Sequence, residues 1–324
     1  MTETKLINRR IDLDKPRYIQ DTYMGRAKHF FLTTNPLNIF ASNSRLEAAA
    51  TLVKQYREGR EPTYTSKDQV YAAKALYESA FHPGTGEKMF ILGRMSAQVP
   101  CNMFITGFML TFYKSPAAVI LWQWVNQTFN AIVNYTNRSA TTVPTVKQMM
   151  VPYVSATFGA LFTALTLNHV AKYAPPLIGR FVPFSAVAAA NCINVPLMRQ
   201  DELINGIQVT DENDVPIGKS KKAAVKAIFQ VVVSRIGMAA PGMIIPPLFM
   251  NWAEQNGIWK RYPWAPAPIQ IIFTGIILTL ATPMCCALFP QKSSMAISKL
   301  EPEAREQILR INPSITHVYF NKGL

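Results

Sequence analysis

Residues 117–137 read AAVILWQWVNQTFNAIVNYTN, twenty-one residues with no charge and six carboxamides. At about 100° per residue, Gln123, Asn126, Gln127, Asn130, Asn134 and Asn137 fall within an arc of roughly 100° on one helix face. Leu121, Val125, Phe129 and Ile132 take the opposite face. The segment is a helix with an amide stripe, and what surrounds that stripe decides the fold.

Around it the chain is unevenly charged. Only 16% of its 324 residues are charged, against roughly 25% in an average soluble domain. Uncharged runs occupy 95–113, 115–137, 148–171, 181–198, 236–253 and 262–291, while Lys and Arg crowd the first 94 residues and the loops. A bilayer core takes about 20 apolar residues per helix. A soluble protein hides one such helix, not five. The fold class is therefore all-α, a polytopic helical membrane protein with about five spans. They are drawn at 97–113, 151–170, 177–196, 228–249 and 269–288, with the amide-striped helix as a possible sixth. The organisation expected is an N-terminal amphipathic-helical region (1–95), a transmembrane domain (96–290) and a polar C-terminal tail (291–324).

Several function classes drop out. The net charge of +14 raises nucleic acid, but no such motif occurs and the aromatics lie in the apolar runs. Excess Lys and Arg in a membrane protein sets topology and touches anionic lipid, so membrane lipids are expected partners. Cys101, Cys192, Cys285 and Cys286 form no CxxC pair, and the histidines lack ligand spacing. No metal, cofactor or catalytic group is expected, and no enzyme. The N-terminal MTETKLINRRIDLDKPRY carries acids and no apolar core, so targeting information is expected within the mature chain.

Local signals fill in the rest. Helices are expected over 18–32, from Ser44 to Gly59, and after the capping box of Ser66 and Gln69. HPGTGEK (82–88) lacks the GxxxxGK[ST] pattern of a phosphate loop; its spacing reads as a helix C-terminus followed by breakers. Ser155, Gly159 and Thr163 permit close helix contact. Pro183 and Pro196 interrupt one span, and Pro241-Gly242 another. The loop at 199–226 reads as a tight hydrophilic excursion, and the tail holds a short helix near 303–310.

Lipid offers no hydrogen bonds, so the amides must face headgroup water, protein or a wet cavity. Arg235, near mid-span, costs a few kcal/mol on insertion scales and so faces protein or a cavity. With Asn191, Asn194 and free backbone groups at helix breaks, it suits a small zwitterion, the carboxylate going to Arg235. The spans contain no acidic residue, which argues against a cation pathway. The expected substrate-binding set is Arg235, Asn126, Gln127, Asn130, Asn134, Asn191 and Asn194. A scaffold or assembly factor, in which these residues merely hold helices together, is the rival.

Whole motifs also have a family likeness. HPGTGEK, WQWVNQTFNAIVNYTNR, PPLIGRFVPF, AAANCINVPLMRQDEL, VTDEN, VVVSRIGMAAPG, ATPMCCALFPQKSSM and the closing VYFNKGL resemble the sideroflexin family, most of all its serine-transporting members. The resemblance runs from GRAKHF to the last residue. It implies a multi-pass protein of the mitochondrial inner membrane with its N-terminus in the matrix. It also implies a carrier of serine, and of alanine, cysteine and glycine, that supplies one-carbon metabolism. With five spans, the termini would lie on opposite sides and the striped helix would be interfacial or re-entrant. The family motif reads HPDTGEK; here Gly84 stands for the Asp, while His82, Pro83, Thr85, Gly86, Glu87 and Lys88 match, in a role the resemblance leaves open.

Overall fold

A computed structural model describes residues 10–82, 85–113, 115–137, 145–173 and 175–323. The N-terminal region folds as helices α1 (Tyr23–Thr33), α2 (Asn43–Glu58) and α3 (Lys67–Ala80). Local chemistry sets their limits. The Thr22, Ser42 and Ser66 hydroxyls each accept a first-turn N–H, and Ser66 with Gln69 completes the expected capping box. Gly59 ends α2 at φ 74°, a conformation that suits a residue without Cβ. Leu46, Val53, Val70 and Leu76 close α2 on α3.

The apolar runs form α4 (Gln98–Phe112), α5 (Pro116–Thr136), α6 (Val146–Ala171), α7 (Pro176–Gly179), α8 (Val182–Met198), α9 (Gln200–Asn205), α10 (Lys221–Gln255), α11 (Ile258–Arg261) and α12 (Pro266–Cys286). Four segments, Met149–Ala171, Leu177–Met198, Lys221–Gln255 and Pro266–Cys286, are long and apolar enough to cross a membrane. Their outward side chains, among them Phe158, Phe162, Phe229 and Ile276, are exposed, as lipid-facing groups are. The chain is a polytopic helical membrane protein. The first expected span is shorter: α4 has 15 residues, about 22 Å of helix, preceded by 3₁₀ turns at Ile91–Gly93 and Met95–Ala97.

Glycine notches bring α4 against α12. A Cβ on Gly107 would lie 2.8 Å from the Ile271 backbone, and one on Gly275 would lie 2.2 Å from Met103 Sδ. Residues 103 and 107 thus face 275 and 271, so the two helices run antiparallel. On α6 the buried stripe is Ala156, Ala160 and Ala164. Gly159 of the expected small-residue series lies so close to Ile193 of α8 that a Cβ would clash.

The proline signals act unequally. The interruption expected near Pro183 falls between α7 and α8, at Arg180 and Phe181. By contrast α10 is continuous across Pro241, Pro246 and Pro247. Each proline removes one i→i−4 bond, and two of the carbonyls so released belong to Gly237 and Gly242. Those glycines let α12 pack close, with Leu278 3.0 Å from a Cβ built on Gly242. Neighbouring helices can support a proline-bearing helix in this way.

The hydrophilic excursion and the tail combine into something the sequence pattern did not announce. Strands β1 (Ile207–Thr210), β2 (Pro216–Ser220), β3 (Lys292–Ala296) and β4 (His317–Asn321) form an antiparallel sheet in the order β2-β1-β4-β3. Helix α13 (Pro302–Ile311) covers it, and Val209, Ile217, Ile308, Val318 and Phe320 make its core.

Chain direction then corrects one expectation. Arg26 Nε donates to Ala287 O at 2.9 Å, and Lys322 Nζ donates to Cys286 O at 3.1 Å. Both terminal regions therefore sit at the same end of α12, rather than on opposite sides. The cause is α5. Asn137, just past its end, donates to Gly93 O at 2.8 Å, ahead of α4. Thr128 and Tyr153 hydroxyls meet at 3.0 Å, tying its C-terminal half to the start of α6. So α5 runs antiparallel to both neighbours, and α4 and α5 form a hairpin that enters and returns, making the crossings even in number.

Candidate substrate-binding site

Arg235 is the natural starting point. Its Nη2 donates to Asn134 Oδ1 at 3.0 Å, and the Asn134 amide nitrogen lies 3.6 Å from Met198 Sδ. One turn further along α10, Met238 touches Cys286 Sγ at 3.8 Å. Asn134 is close to the end of α5, Met198 ends α8 and Cys286 ends α12. Arg235 thus lies level with the ends of three neighbouring helices rather than at mid-span, and burying a charge costs less there than at the bilayer centre. It does not snorkel outward; its hydrogen bond runs to an amide of α5.

The arginines at the two ends of α8 are spent on carboxylates. Arg180 pairs with Glu254, and Arg199 pairs with Glu202 while donating to Lys322 O. Among the described residues Arg235 has no carboxylate partner. A guanidinium carries five donors in a planar fork that matches a carboxylate. Lys322 and Arg26 cap the α12 carbonyls beside it, as cations do at a helix C-terminus. Burial, then Arg26, hold the Lys322 ammonium below its usual pKa, though Cys286 opposes this.

From Asn134 the amide stripe leads inward. Asn134, Asn130 and Asn126 recur every four residues, about 6 Å apart along the helix. Asn126, Gln127 and Gln123 are all buried. Gln123 donates to the Tyr113 hydroxyl at 2.7 Å, but its Oε1 has no partner, nor do Asn126 Nδ2, Gln127 Nε2 or, beside Arg235, Ser234 Oγ. Each such atom costs roughly 1–3 kcal/mol, which helix packing alone gives no reason to bear. Asn194 is buried in α8, while Asn191 donates to Val187 O of its own helix and is spent there. Arg235 and Asn134 are therefore joined directly. Asn130, Asn126 and Gln127 share the face of Asn134, and Asn191 is bonded to its own helix.

HPGTGEK forms a separate feature. Phe81 caps α3, and the chain turns back so that His82 N–H donates to Glu87 O and Gly86 N–H to His82 O. Phe81 and Lys88 pair across the turn, and Gly86 sits at φ 70°. The His82 Nδ1 accepts the Thr85 N–H at 3.1 Å, and Lys88 reaches Asn43 and Glu47. The breakers expected here, Pro83 and Gly84, lie outside the described residues. This turn borders a cavity of about 620 Å³. On α5 the cavity touches Thr128, Ala131, Ile132 and Tyr135, the face opposite the amides. Sequence reading missed this cavity, since its walls come from three separate stretches.

A multi-pass helical membrane protein in which an amide stripe meets an arginine with no carboxylate partner among the described residues is the class defined by this geometry. The family profile described as Sideroflexins matches residues 12–324, and the chain belongs to that family. It is 57% identical to Sideroflexin-1 of Homo sapiens and to Sideroflexin-1 of Bos taurus over 97% of this chain and 98% of each relative. It is likewise 57% identical to Sideroflexin-3 of Homo sapiens over the same shares. No solved structure matches.

Proposed function

We propose that the chain is a carrier, not an enzyme, moving serine, and with it alanine, cysteine and glycine, across the mitochondrial inner membrane to supply one-carbon metabolism. The observation that carries this reading is Arg235. It is a cation without a carboxylate partner at the end of a buried amide face. Its fork would take the substrate carboxylate, and the Asn134, Asn130 and Asn126 oxygens would take the ammonium group in succession as it passes inward. Small side chains suit a path walled by packed helices. The basic terminal region, and with it the carboxyl terminus, would face the matrix. No cofactor enters this scheme.

The scaffold reading assigns the same residues to helix packing, and uptake separates the two. Liposomes containing only the purified protein should accumulate labelled serine saturably, with alanine, cysteine and glycine competing. Uptake equal to empty liposomes, with protein that melts cooperatively, would favour the scaffold.

A further inference from the structure

The cavity beside HPGTGEK lies on the far side of α5 from the amides and has no part in the proposed carrier path. Its walls are mostly apolar: Met89 from the turn, Ala131 and Ile132 from α5, Met149 and Met150 from α6. Its rim is polar, with the exposed Thr85, Glu87 and Lys88 on one side. Apolar walls under a charged rim are the pattern of an amphipathic ligand, and about 620 Å³ is within the usual range for a ligand site.

Its position says which amphiphile. The cavity lies where α5 ends and α6 begins, at the margin of the apolar layer. Tyr135 and Phe90, both exposed large aromatics, flank it, as aromatic rings gather at headgroup depth. From Met150 an exposed apolar row continues along α6 through Val154, Phe158 and Phe162, each four residues on. The cavity thus opens onto a lipid-facing track long enough for an acyl chain. At the rim the charges are of both signs: Lys88, whose ammonium spends two of its three donors on Asn43 at 3.2 Å and Glu47 at 3.5 Å, and the exposed Glu87 next to it in sequence. A rim with a cation and a carboxylate complements a head with a phosphate and an ammonium, not a purely anionic one.

We propose that this cavity is a binding site for a zwitterionic phospholipid. Its phosphate lies at Lys88, its ammonium group at Glu87 and one acyl chain in the crevice between α5 and α6. Glu87 and Lys88, at the end of the turn, hold that headgroup. Closing the turn through the Phe81–Lys88 pairing and the His82–Glu87 bond fixes the backbone that carries both charges.

The test is native mass spectrometry of the detergent-purified full chain titrated with phosphatidylethanolamine or with phosphatidylglycerol. One phosphatidylethanolamine adduct should form at lower lipid concentration than any phosphatidylglycerol adduct. Ala131→Trp, which fills the cavity, should abolish that first adduct. Glu87→Gln keeps the size of an exposed side chain, so folding is preserved, and should shrink the preference by about threefold to tenfold. Equal binding of both lipids to the unaltered chain would overturn the proposal. So would a preference that survives both substitutions while melting temperatures stay unchanged.

Discussion

Asn134 and Arg235 are 101 residues apart in sequence and 3.0 Å apart in space. If that amide holds the fork open for a substrate carboxylate, a built-in carboxylate should occupy the fork instead. Asn134→Asp is therefore expected to hold or raise the melting temperature while serine uptake falls at least about tenfold, the equivalent of ~1.4 kcal/mol. Uptake at the original level in Asn134→Asp would remove Asn134 from the path. A second residue sets a pH limit. Glu301 accepts the Lys221 N–H at 2.6 Å and the Ser220 hydroxyl at 2.8 Å, at the start of α10. Burial works to raise its pKa, but bonds from its own backbone, Lys221, Ser220 and Lys222 outweigh this and hold it below the ordinary value. A depressed carboxylate contributes stability above the usual glutamate range and loses it as pH falls through the folded-state value. Glu301→Gln should cost about 1 kcal/mol at neutral pH and flatten the acid limb of a melting-temperature profile. An unchanged limb would show that the cap contributes nothing. Arg235 and the amides were legible in the sequence because polar groups in apolar runs are conspicuous. Their meeting was not, since it depends on the direction of α5.

Among the elements, α5 carries the main revision. Its length and amide face were evident from the 3.6-residue period, but periodicity does not say whether a helix lies flat or returns. The bond from Asn137 to Gly93 and the hydroxyl pair of Thr128 and Tyr153 decide it. In a cysteine-free background, cysteines at Ser115 and Thr145 should react with an impermeant label from opposite sides of the membrane. Labelling from one side would restore the interfacial helix. The α4–α12 contact has its own test. Gly107→Leu places a side chain where the Ile271 backbone stands 2.8 Å from a Cβ, and overpacking of this kind costs ~1–3 kcal/mol or more. A melting temperature unchanged by Gly107→Leu would mean the two helices are not in that contact. The sheet escaped sequence reading for a different reason. Its strands are four or five residues long, and two of them reach their partners only after α10 and α12 have intervened. KSSMA carries too few apolar residues to announce a strand.

At the scale of the whole molecule, an even number of crossings brings both termini to one end, where Arg26 and Lys322 cap the same helix. Arg235, Asn134 and the last turn of α8 lie at that end too, so the terminal segments and the proposed carboxylate site share one side. Sequence signals gave the class of protein from charge distribution alone, and family likeness suggested the substrate proposed above. Neither could give this arrangement, because it rests on long-range contacts between segments with no pairing signal. The most direct measurement is labelled-serine uptake by liposomes containing the unaltered chain, Arg235→Lys or Arg235→Gln, with melting temperature recorded for each. Arg235→Lys keeps the charge but loses the fork, so uptake should fall strongly while folding survives. Arg235→Gln should abolish uptake, since a desolvated carboxylate left without its partner costs several kcal/mol. Normal uptake by both variants, or activity lost only in step with melting temperature, would contradict a carboxylate site at Arg235.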